Sequence, residues 1–149
     1  MKKLNKIKTG WNLRLLYKNL KDPQIEKDMR STEHMIAVFA KRYSKDSSYM
    51  KNKDALVKAL QDYEKLSDSF NSKPILYPHY IKELDSSNTE AEGLLRRLEE
   101  RFTKAGNKIL FFSLNLGKIK PALQKKFLQD KRMHKYKYML ERVWQTAKY

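Results

Sequence analysis

The chain has no cysteine, so neither a disulfide nor a thiolate metal ligand enters its chemistry. Histidine is scarce too, with only His34, His79 and His134. A catalytic zinc needs three protein ligands around an open position, and no H-E-x-x-H pattern occurs. His34 has no acid four residues to either side, while His79 has Glu83 one turn on and His134 has Asp130 one turn back. Each pair falls short of a ligand set, so catalytic, cofactor-binding and metal-binding residues are expected to be none. The four glycines stand singly, which excludes a Gly-rich phosphate loop, and there is no G-x-S-x-G elbow. Apolar runs are short. None approaches the roughly 18 residues of a membrane span, and the basic start MKKLNKIK leads into no apolar segment of a secretory signal. No membrane association is expected, and the cytoplasm is the default location.

Acids are also few. Seventeen Asp and Glu stand against 33 Lys and Arg, for a net charge of +16. The excess is at the ends: residues 1–22 carry +6, residues 117–149 carry +8, and the stretch between carries only +2. Such asymmetry points to an anionic partner. A mean hydropathy of -0.82 gives a wet exterior, yet nine Tyr, six Phe and two Trp are too many for a disordered chain.

What is present in quantity is helical periodicity. From Asn88 to Leu116 the residues Ala91, Leu94, Leu95, Leu98, Phe102, Ala105, Ile109, Phe112 and Leu116 recur at steps that place them on one helical stripe. Glu92, Arg96, Glu100 and Lys104 form an opposite, solvated ladder of alternating charge. Unbroken from Thr89, this helix would be roughly 42 Å long at about 1.5 Å per residue. Leu110, Phe111 and Leu114 lie off the stripe, so its second half is expected to be covered on more than one side. The rival is a strand over Lys108–Leu116 after a Gly106-Asn107 turn, but no second strand is evident to pair with it.

Around this element the chain reads as an N-terminal arm over residues 1–22, docking by Trp11 and Tyr17, followed by a helical domain over residues 23–149. Asp22-Pro23 starts a helix whose Ile25, Met29, Thr32, Ile36, Phe39 and Tyr43 share one face. A second helix from Asn52 or Asp54 carries Leu56, Leu60, Tyr63 and Phe70 on one side, and the short connection makes the pair an antiparallel hairpin. Pro74 and Pro78 suggest a turn leading into a short helix. Pro121 opens another through Leu128, and Arg132 to Tyr149 forms a last one with no stop signal after it. The fold class is therefore all-α, with long antiparallel helices in a bundle-like lobe.

Chemistry is hard to find in these letters. Glu99 and Glu100 are flanked by Arg96, Arg97 and Arg101 and read as surface charge rather than an acid/base pair. The run KKFLQDKRMHKYKYMLERVW interleaves cations with Phe127, Tyr136, Tyr138 and Trp144, as single-strand nucleic-acid binders do. A packed helix with wet lysines gives the same letters, and no nucleic-acid motif accompanies them, so nucleic acid is not the expected partner. A stand-alone basic helical module binding nucleic acid or another polyanion remains the alternative.

Taken in order, the pieces resemble the N-terminal region of oligoendopeptidase F, a family of zinc-dependent peptidases. The likeness runs through Trp11-Asn12-Leu13, Leu16-Tyr17, Asp22-Pro23, Glu26-Lys27-Asp28, Phe39 with Tyr43, Ala59-Leu60 with Tyr63-Glu64, and the Asp85–Ala91 segment. NKILFFSLNL over 107–116 and YMLERVWQTAKY over 138–149 complete it. Asn12 departs from the family, which more often has Asp there. The resemblance implies a helical wall of a channel for short peptides. It also implies a zinc held only in a later catalytic domain, on H-E-x-x-H and a further Glu. The partners it implies are that missing domain and the oligopeptide substrate of the complete enzyme. The matching positions here are expected to be packing residues, in a truncated or degenerate relative.

Overall fold

A computed structural model describes residues 12–149. Trp11 and the start of the arm lie outside them. The described residues contain seven α-helices, three short 3-10 segments and no strand, so the fold is all-α.

Helix α1 (Pro23–Lys45) begins as its sequence dictates. The Asp22 carboxylate accepts from Gln24 N–H at 3.0 Å, and Pro23 takes the first turn, where a missing donor costs nothing. Its buried face is Ile25, Met29, Thr32, Ile36, Phe39 and Tyr43, the stripe that the spacing predicts. A 3-10 turn at Ser48–Met50 then buries Tyr49 and leads to α2 (Lys53–Asp68), capped by Asn52 accepting from Ala55 N–H at 2.9 Å. Tyr43 pairs with Asp62 and Phe39 with Tyr63, so the two helices run antiparallel.

Helix α3 (Lys73–Leu84) takes in both prolines instead of following a turn. Pro74 lies in its first turn, and Pro78 forfeits a single ladder bond while both rings are buried. Asn88 caps α4 (Thr89–Asn107) by accepting from Ala91 N–H at 2.9 Å. The arm turns once at Leu13–Leu15 and docks Tyr17, whose ring meets Tyr77 edge to face at 5.4 Å.

The long helix is interrupted. Lys108 and Ile109 donate to carbonyls three residues back, at Ala105 and Gly106, and Ile109 leaves helical geometry with φ -109 and ψ 1. Gly106 and Asn107, both weak helix formers, precede the break. Beyond it α5 (Leu110–Gly117) resumes as helix, so Lys108–Leu116 is not a strand. The break separates two cores. Tyr17, Ile25, Met29, Tyr77 and Leu98 form one, with α3, α4 and the arm. The other gathers Phe39, Tyr43, Tyr49, Leu60, Phe112 and Leu116 with the helices that follow. Helix α1 contributes to both.

In the second core Phe112 lies among four rings, with centroids 5.1 Å from Phe39, 5.8 Å from Tyr43, 5.0 Å from Tyr49 and 5.3 Å from Tyr63. Asn115 Nδ2 donates to the Tyr49 hydroxyl at 2.9 Å and ties the first loop to α5. After α6 (Pro121–Leu128) and a 3-10 segment at Lys131–Tyr136 comes α7 (Lys137–Thr146), where one longer helix is predicted. Its Trp144 indole donates to the Leu116 carbonyl at 3.0 Å. No helix among the described residues is long and apolar enough to cross a membrane.

A further expectation fails in part. Leu110 and Leu114 are 55% and 57% exposed, whereas Phe111, also off the stripe, packs partly buried against the second core. The stripe of α5 packs against α1, α2 and α7, and Leu110 and Leu114 face solvent.

Candidate functional site

Several of the polar side-chain pairs join different elements, and tyrosine recurs among them. Tyr17 donates to Asp28 at 2.6 Å and Tyr136 to Glu64 at 2.7 Å, while Tyr43 donates to Asp62. Burial, then the adjacent carboxylate, pushes the phenols of Tyr17, Tyr43 and Tyr136 above their ordinary value. Burial opposes the charge on Asp62, but Lys58 and Tyr43 outweigh it and hold its carboxyl below the usual range. A phenol that stays protonated is a hydrogen-bond donor and not a base. These pairs fasten helices.

Arg101 on α4 fastens two more turns of α1. Its Nη1 reaches Glu26 Oε2 at 2.6 Å and its Nε reaches Glu33 Oε1 at 2.7 Å. Hydrogen bonds to Glu33 and Glu26 hold the guanidinium in its charged form, and the Arg101 fork in turn holds the Glu26 carboxyl below its ordinary value. Asp130, spent on the side chain and N–H of Arg132, is depressed in the same way.

The histidines stay apart from any ligand cluster. His79 Nε2 does meet Glu83 Oε1 at 3.1 Å, on an exposed face of α3. Asp130 turns to Arg132 and Lys53 in place of His134. His34 is exposed on α1. Among the described residues no group of three or more His, Cys, Asp and Glu is arranged to hold a metal ion. Glu99 and Glu100 are both exposed.

One concave feature among the described residues is an apolar groove between α1 and α2. A cavity of about 400 Å³ over Met35, Val38, Phe39 and Leu66 shares Met35 and Leu66 with one of about 360 Å³ that reaches Thr32, Phe70 and Phe102. Asp62 on its rim is engaged by Tyr43, Lys58 and Arg42. The groove can seat apolar side chains; His34 and Ser69 also line it, but no hydrogen bond joins them. Periodicity could not have shown it, because Met35 and Val38 lie beside the α1 stripe. No family model, curated protein or solved structure matches this chain.

Proposed function

We propose that this chain is the non-catalytic N-terminal helical portion of an oligoendopeptidase F-like zinc peptidase, one wall of a channel that admits short peptides. The observation that carries the reading is the burial of many of the residues bearing the resemblance, with Leu110, Leu114 and Tyr138 among them exposed. Tyr17, Phe39, Tyr43, Ala59, Leu60, Phe112, Leu116, Leu140 and Trp144 are all buried, and none belongs to a reactive cluster. A resemblance carried by packing residues is what a structural wall leaves in a sequence, whereas a catalytic portion leaves ligands and bases.

The reading assigns hydrolysis elsewhere. Metal-assisted cleavage needs a zinc to acidify water and polarise the carbonyl, with a carboxylate to move the proton. Only the carboxylates are offered here. The chemistry belongs to a catalytic domain, and this portion limits what reaches it. The test compares zinc content and chelator-sensitive cleavage of a quenched fluorescent oligopeptide for the 149-residue chain and for the product of its whole natural gene. Zinc and cleavage in the gene product alone support the reading; their absence from the gene product overturns it.

A further inference from the structure

Between Glu100 and Asp130 the chain carries no acidic residue and seven cations. Arg101 is occupied by Glu26 and Glu33. The other six, Lys104, Lys108, Lys118, Lys120, Lys125 and Lys126, are exposed, and none forms an ion pair with a described residue. Within the same stretch lies the uncovered side of α5. Leu110 and Leu114 stand one turn apart on it, each more than half exposed, and Lys118 follows one turn later. Two leucines thus form a short apolar ridge within a stretch of chain that carries lysines and no acid.

We propose that this face docks an acidic amphipathic helix of a partner protein, with apolar side chains against Leu110 and Leu114 and carboxylates toward the flanking lysines. Charge selects that occupant. A second copy would set lysines against lysines on a chain of net charge +16. A nucleic acid would satisfy the lysines but not the leucines, and no aromatic side chain is exposed between Glu100 and Asp130 to stack on a base. A bilayer asks for more apolar surface than two leucines already half covered by their own fold, whereas a helix groove seats an i, i+4 pair. Matching charge around the ridge steers the partner in and fixes its orientation.

The absence of cysteine makes the test clean, since Leu114→Cys introduces the one thiol in the chain. The probe is a fluorescein-labelled synthetic helical peptide with leucine on one face and glutamate on the other; its control carries lysine for glutamate. The glutamate peptide should bind by anisotropy and slow maleimide labelling at position 114, and the lysine peptide should do neither. Binding should weaken by about tenfold, or roughly 1.4 kcal/mol, in Leu110→Ser/Leu114→Ser and in Lys118→Gln/Lys120→Gln/Lys125→Gln. All five side chains are exposed, and circular dichroism checks that both variants fold. Equal binding of the two peptides, or unchanged binding by either variant, overturns the proposal. So does protection of position 114 by anionic vesicles or an oligonucleotide but not by the glutamate peptide.

Discussion

Gly117 at the end of α5 lies so close to Ala147 that a Cβ built on the glycine would be 2.9 Å from the alanine Cβ. Backbone freedom is not the reason for the glycine, because no described glycine has a positive φ. Space is, since the end of α5 and the chain just after α7 touch there. Gly117→Ala should destabilise by roughly 1–3 kcal/mol as the two elements are pushed apart. Gly106 on α4 has nothing within 4 Å of the corresponding point, so Gly106→Ala should stabilise by about 0.5–1 kcal/mol. Urea midpoints of the two variants, shifted to opposite sides of the parent, are the expected outcome.

Phe112 is 1% exposed at the centre of its four neighbouring rings. Phe112→Ala leaves a cavity with little to collapse into it and should cost about 3–5 kcal/mol. Leu114→Ala, one turn from its exposed neighbour Leu110, should change stability by less than about 0.5 kcal/mol. Equal losses in the two unfolding curves would contradict the arrangement of α5.

The face of α1 was fully legible because a single periodic stripe, an acidic cap and a proline agree over its whole length. The α4–α5 break was not. The stripe from Ala91 to Leu116 keeps helical spacing through Lys108–Ile109, so the pattern of apolar residues cannot show that the backbone tightens there. Val57, buried in α2, escaped for a related reason: it lies beside the stripe and is covered only by tertiary packing. The tyrosine–carboxylate pairs and the Arg101 clamp join residues up to 75 positions apart, which no local spacing encodes.

Thr32 is buried on α1, and its hydroxyl has no hydrogen-bond partner in the structure. A buried hydroxyl without a partner is a cost that valine, of nearly the same shape, does not carry. Thr32→Val should therefore raise stability by about 1 kcal/mol. A loss of that size in thermal or urea unfolding would mean that the hydroxyl is satisfied.

Arg101 gives the stability a dependence on pH. The folded-state value of Glu26 lies below its ordinary 4.5, so the contribution is complete above that value and is lost as pH falls through the folded one. Glu26 is nearly half exposed, and solvent screening limits the loss from Arg101→Met at neutral pH to about 1 kcal/mol. Urea midpoints should differ between parent and variant at pH 6 and converge toward pH 3. A difference that persists unchanged at the acidic end would assign the effect of Arg101 to packing.

Zinc content measured beside peptide cleavage tests the central claim most directly. The 149-residue chain alone should hold no stoichiometric zinc and show no chelator-sensitive cleavage of a quenched fluorescent oligopeptide, while the product of its whole natural gene should show both. One zinc bound tightly by the 149-residue chain, with cleavage lost on replacing His79 or His134, would contradict the account.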